Sequence, residues 1–244
     1  AEEWIQHKKV DSEFLDYLKT KVSFPWSMID KITPRPSDKI KDKINTLGIE
    51  DMDPVITSKG TYIAPFVNAE VPEYLVIEDN FPNGRPPLEN AGVYMTTRDI
   101  VNKSETMKVT SCLNPLHTAL AVYGCLLGYT KICDEMKDAD LVKLVKQIAN
   151  EGMKVVINPE IIDPQKFVHE VINDRLPNPN IPDSPQRIAT DTSQKVGIRY
   201  GETIKAYMSA PNLNTADMTA IPAAIAGWLR YILGVDDDGE LFER

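Results

Sequence analysis

Apolar and polar positions follow two different rhythms along this chain, and the change falls near residue 97. At the start, Trp4, Phe14, Leu15 and Leu18 recur at helix-like intervals in a charged background, which predicts helical structure to about Lys21. Residues 23–38 carry Pro25, Pro34 and Pro36 and are predicted to be largely irregular or extended. In residues 38–47, Ile40, Ile44 and Leu47 share one face opposite charged residues, the pattern of a short surface helix, and Gly48 ends it. From Pro54 to Asp79 β-branched and aromatic residues take over; VIT, TYIAPFV and YLVIED are the strand candidates, and FPNGRPP is a punctuated loop. Beyond residue 97 strand signals almost vanish. The periodicity there predicts helices over roughly 98–109, 115–133, 137–151, 163–174, 186–209 and 215–233, with a proline-rich stretch from Pro159 to Pro185 marking loops. The expected architecture is mainly α (α+β overall), with a mixed part over residues 1–97 and a multi-helical part over 98–244.

Composition narrows the partners. With 27 basic and 36 acidic residues the net charge is −9, which argues against nucleic acid or an anionic membrane surface and leaves room for a small anion held by local cations. Cys112, Cys125 and Cys133 form an odd, widely spaced set, as expected of free thiols in a reducing cytoplasm. Residues 1–10 lack the basic and apolar regions of a secretory leader, and no stretch is a clean apolar span of roughly 20 residues. The 12 glycines never occur as G-x-G, so neither a dinucleotide fingerprint nor a Walker A loop is present. The closest pairs, Gly124/Gly128 and Gly197/Gly201, have a spacing that suits close helix packing. His7, His117, His169 and the cysteines match no zinc spacing, and no metal is expected.

The densest polar signal in an apolar setting is MKVTSCLNPLHTALAVYGCLLGY, residues 107–129. Pro115 suits the first turn of a helix and Asn114 its N-cap, which would put Asn114 and His117 at one helix start with Lys108 just upstream. A lysine, an amide and an imidazole converging there could handle a hydroxyl or carbonyl, the lysine moving a proton and the other two polarising oxygen. Plainer roles fit the same residues: a cap, a core histidine, a solvated lysine. Arg187, Asp191 and Lys195 step by four, a cation–anion–cation row on one helix face that is either a solvated ladder or a substrate clamp. Asp30, within WSMIDKI, either bonds substrate hydroxyls or caps a turn.

Taken in order, these segments resemble the polyol-specific long-chain dehydrogenases/reductases, a family of mannitol 2-dehydrogenases and uronate reductases. SFPWSMIDKITP, YLVIEDNFPNGRPPLENAGV, MKVTSCLNPLHTALAVYGCLLGY and RIATDTSQK are each similar to one of its motifs. The resemblance implies an NAD(P)-dependent, metal-independent oxidoreductase that interconverts a secondary alcohol and a ketone on an open-chain sugar acid or polyol. Its cofactor is expected to be NAD(H) in preference to NADP(H). Carried over by motif, Lys108 is the general acid/base, Asn114 part of an oxyanion-stabilising pair, and His117 the residue orienting the substrate oxygen. Glu105 lies on the proton route, and Asp30, Arg187 and Lys195 bind substrate. As a base near neutral pH, Lys108 needs a pKa below the usual value of about 10.4, for which burial is the usual means.

Two departures from the family pattern matter. Six steps separate Lys108 from Asn114 where the family has five, and one extra residue turns a continuous helix by about 100°, so a break or bulge must absorb it. The family's glycine-rich Rossmann turn is also absent. Residues 1–97 therefore resemble the tail of a Rossmann-type cofactor domain and 98–244 a helical substrate domain. Arg35, directly after ITP, adds a cation that favours a uronate reductase acting on fructuronate or mannonate. The alternatives are a mannitol 2-dehydrogenase and, from another class, a non-catalytic helical binding or oligomerisation module.

Overall fold

Helix α5 (Asn114–Leu126) is the hub around which the chain is packed. Only Asn114, His117 and Tyr123 along it keep partial exposure; the rest is buried, as in a helix that is apolar all round and lies in a core. α7 (Ala139–Met153), α9 (Pro185–Ala189) and α12 (Ala220–Tyr231) pack against it. Small residues permit the closest approaches. A Cβ on Gly124 would lie 2.2 Å from Glu135 Oε1, and one on Gly227 would lie 2.7 Å from the Tyr123 ring. Helix packing therefore accounts for Gly124. Gly128 instead ends the helix in the left-handed region at φ +75°, and Gly197 and Gly201 face open space.

The computed structural model describes residues 2–34, 36–237 and 239–242, so Arg35 lies outside the described residues. Most of the helical array follows the predicted segments, but π-turns and breaks interrupt it. α4 (Arg98–Met107) runs into a π-turn over Lys108–Cys112, and α8 (Pro164–Glu170) into another over Val171–Arg175. The helix expected over 115–133 stops at Leu126 and resumes as α6 (Ile132–Glu135). The one expected over 186–209 is divided into α9, α10 (Thr192–Val196), a π-turn over Gly197–Gly201 and α11 (Glu202–Ser209). That division corrects the predicted continuous face: Asp191 adopts φ 57°, outside helical geometry, and Arg187, Asp191 and Lys195 do not form one row. The last segment is a 3₁₀ turn over Thr215–Asp217 followed by α12.

Before residue 97, α1 (Glu2–Gln6), α2 (Ser12–Lys21) and α3 (Asp38–Thr46) bury no residue. β1 (Ser27–Asp30) forms within the stretch expected to be irregular or extended. It pairs antiparallel with β4 (Tyr74–Glu78), which pairs parallel with β5 (Tyr94–Thr96), a strand the sequence pattern does not predict. The VIT and TYIAPFV candidates shrink to a small hairpin of β2 (Val55–Ile56) and β3 (Tyr62–Ile63). Burial alternates along β1, and its inward Met28 joins Val76 and the helices in one core. No helix among the described residues is long and apolar enough to cross a membrane.

Candidate active site

Lys108 sits where α4 widens into its π-turn. The Leu113 amide bonds the Lys108 carbonyl five residues back at 3.1 Å, and Leu113 then leaves helical geometry at φ −127°. This is the break that the six-residue spacing to Asn114 requires, and such π-turns are frequent at functional sites. The structure corrects one detail: Leu113, not Asn114, occupies the N-cap position, and Asn114 makes no capping bond. Its amide is thereby left partly exposed at the first residue of α5.

The Lys108 side chain is 11% exposed. Its Nζ lies 2.9 Å from Glu105 Oε2 and donates to the Ile29 carbonyl of β1 at 3.1 Å. Glu105 is about half exposed, so the pair joins a buried ammonium to a solvent-facing carboxylate. The next β1 residue, Asp30, is engaged within the protein: both its oxygens accept from Arg175, at 2.7 and 3.1 Å. Arg175 ends the second π-turn and also donates to Glu70, at 2.6 and 3.0 Å. Burial opposes the charge on Arg175, but bonds to the two carboxylates outweigh it and raise its pKa. Glu70 in turn accepts from the Ile32 amide at 2.5 Å, which fixes the chain just after β1. The triad therefore holds in place the strand whose carbonyl grips Lys108.

His117, one turn into α5, faces Asp183 from the proline-rich loop, with Nε2 and Oδ2 3.3 Å apart and both side chains largely buried. Arg187 holds the other oxygen of Asp183, Nη2 at 2.6 Å and Nε at 2.8 Å. Burial pushes the Asp183 carboxyl up, while His117 and Arg187 pull it down, and the net effect leaves it below its usual range. Two residues predicted in separate motifs are thus joined by a carboxylate that the motifs do not contain. Ile32, His117, Ile132, Arg175 and Asp183 line one small crevice, which puts this group beside the Arg175 of the triad. Lys195 bends back to the Ile188 and Thr190 carbonyls, where burial first, and then Arg199 and Arg187, lower its pKa against the opposing pull of Asp191.

The third π-turn braces the same corner. Tyr200 donates to the Pro115 carbonyl at 2.8 Å, and Arg199 to the Thr118 hydroxyl, which itself donates to the Asn114 carbonyl at 2.7 Å. Thr203, just beyond it, bonds the Thr110 carbonyl inside the first π-turn at 2.9 Å. Sequence reasoning missed Asp183, Arg175, Glu70 and Arg199. Only Asp183 left a local signal, its four-residue spacing from Arg187. A cavity of about 970 Å³ between α7 and α8, lined by Lys146, Met153, His169 and Glu170 among others, contains none of the predicted site residues.

Comparison with known proteins identifies the family. The family model of the mannitol dehydrogenase C-terminal domain matches residues 100–244. The chain is 61% identical over 241 residues to the D-mannonate oxidoreductase of Thermotoga maritima, covering 98% of this chain and 45% of that protein. It is 31% identical to the mannitol 2-dehydrogenase of Aspergillus niger, covering 99% of this chain and 48% of that protein. Among solved structures it resembles a D-sorbitol dehydrogenase at a TM-score of 0.80 and 28% identity, covering 98% of this chain and 45% of the other. The mannitol 2-dehydrogenase of Pseudomonas fluorescens, solved with NAD and D-mannitol, matches at 0.75 and 28%, covering 97% of this chain and 44% of the other. The chain therefore spans under half the length of the relatives it matches, and it belongs to the mannitol dehydrogenase C-terminal domain family.

Proposed function

We propose that this chain supplies the substrate-binding and proton-transfer half of an oxidoreductase that interconverts a secondary alcohol and a ketone on an open-chain sugar acid, D-mannonate being the favoured substrate. The observation that carries the reading is the Lys108–Glu105 pair at the π-turn: a buried ammonium with one carboxylate leading to solvent. In the alcohol-to-ketone direction the Lys108 ammonium first gives a proton outward through Glu105, and the amine so formed takes the substrate's hydroxyl proton; in the reverse direction the ammonium protonates the carbonyl oxygen and is recharged along the same path. Asn114 and His117 orient the substrate oxygen, with His117 positioned by Asp183. Asp30 acts through Arg175 and β1 rather than on the substrate. The high identity to a mannonate oxidoreductase supports a sugar acid over the neutral polyol of a mannitol 2-dehydrogenase.

Hydride chemistry of this kind belongs to a nicotinamide cofactor, and NAD(H) is our assignment because a structural neighbour was solved with NAD. The described residues do not fit its pyrophosphate. The one strand-to-helix turn of Rossmann type, from β5 into α4, has no glycine, and Thr97 already caps it by accepting from the Ile100 amide. We read residues 1–97 as the tail of a cofactor domain and 98–244 as the substrate domain, in a cytoplasmic protein whose three cysteines are free and buried.

In the full-length protein, with D-mannonate and NAD, Lys108→Ala should lower kcat by roughly 10²–10⁴, the usual worth of a positioned acid/base, with little change in KM for NAD. Near-normal turnover in that variant would remove Lys108 from the chemistry and make Lys103 the next candidate.

A further inference from the structure

Among the described residues, the arginines are matched to acids with one exception. Arg85 is held by Asp79 and Glu89, Arg98 by Glu78, Arg175 by Asp30 and Glu70, Arg187 by Asp183, and Arg230 lies 3.6 Å from Asp237. Arg199 is the arginine among the described residues without a carboxylate partner. It is partly buried, and its one hydrogen bond goes to the Thr118 hydroxyl, leaving most of the guanidinium's donors unspent. A desolvated guanidinium is costly unless something anionic meets it. Burial accordingly lowers its pKa, and it disfavours the charge of Lys195 one turn earlier.

Position gives this unmatched charge a purpose. Thr118 follows His117 directly and bonds the carbonyl of Asn114, so Arg199 is anchored on the first turn of α5, where the proposed oxygen-binding residues begin. Arg187, the cation that the motif reading favours for a substrate carboxylate, already has its Nε and Nη2 occupied by Asp183.

We propose that Arg199, with Lys195 beside it, receives the carboxylate of the sugar acid and so sets the preference for an anionic over a neutral substrate. This rests on the reading of the chain as the substrate half of a sugar-acid oxidoreductase. A planar fork able to grip both carboxylate oxygens suits the role better than a lysine alone. A neutral polyol would leave the guanidinium unpaired in the occupied site.

D-mannonate and D-mannitol differ at one terminus, carboxylate against hydroxymethyl, and make the test. In the full-length protein with NAD, Arg199→Gln should reduce kcat/KM for mannonate by about 30-fold or more. The loss for mannitol should be smaller, so that the mannonate-to-mannitol ratio falls by at least about tenfold, and KM for NAD should change little. Arg199→Lys, which keeps the charge and loses the fork, should fall between, and its ratio carries the test if Arg199→Gln does not fold. Equal losses for the two substrates, no loss, or a loss confined to KM for NAD would overturn the role of Arg199 while leaving the sugar-acid reading intact. A wild-type protein that oxidises mannitol and no sugar acid would overturn both.

Discussion

At the scale of single residues, Glu135 shows how far burial alone can reshape chemistry. It ends α6, is fully buried, and neither carboxyl oxygen has a hydrogen-bond partner, because it fills the space that Gly124 leaves between α5 and α9. Desolvation pushes its pKa up to about 9, so the native protein keeps this proton at neutral pH. The unfolded chain releases the proton near the ordinary carboxyl value. The stability that the neutral group allows is therefore full in acid and is lost as pH rises from the ordinary value towards about 9. Glu135→Gln should flatten that dependence. Between about pH 5.5 and pH 8.5, urea unfolding of wild type should lose on the order of 2–4 kcal/mol more than the variant loses. Parallel curves would mean that the carboxylate finds a partner when it ionises. Lys108 illustrates the contrasting case, a buried charge given both an acceptor and a carboxylate.

At the scale of elements, the site is built from interruptions. Three π-turns carry Lys108, Arg175 and Arg199, and the left-handed Asp191 divides α9 from α10. This explains what was legible beforehand. Helix existence was readable from apolar spacing, and the misfit between Lys108 and Asn114 announced a break because six steps cannot replace five on a regular helix. The other interruptions were hidden, since the residues around Asp191 and Arg175 are compatible with continuous helix and tertiary contacts decide otherwise. β1 was equally hidden: SMID is too short and too close to prolines to read as a strand, and pairing with β4 makes it one. Asp191 gives this scale its test. A left-handed backbone suits glycine and penalises a β-branched residue. In urea unfolding of the full-length protein, Asp191→Gly should be within about 0.5 kcal/mol of wild type or above it, and Asp191→Val should lose about 1–2 kcal/mol. Equal behaviour of the two would show that the break is set by contacts and not by the Asp191 backbone.

Across the whole molecule, buried structure is unevenly shared. α5 is encased, whereas α1, α2 and α3 bury nothing, and Trp4, Phe14, Tyr17, Phe24, Trp26 and Ile29 stand exposed in the first 30 residues. Exposed aromatic surface on this scale suits an interaction face, and under the proposed reading of residues 1–97 a cofactor domain covers it; the relatives are more than twice as long as the part of them this chain matches. Local stability follows buried contacts, so the early helices should open without disturbing the core. Native-state hydrogen exchange on this chain alone should show amides of α2 and α3 exchanging at least about 100-fold faster than those of α5 and α7. In the full-length protein the protection of α2 should rise, and that of α5 should change far less, because α5 is already enclosed by α7, α9 and α12. Unchanged exchange in α2 would mean that its aromatic face stays open in the complete protein, and the reading of residues 1–97 as part of a cofactor domain would fail with it.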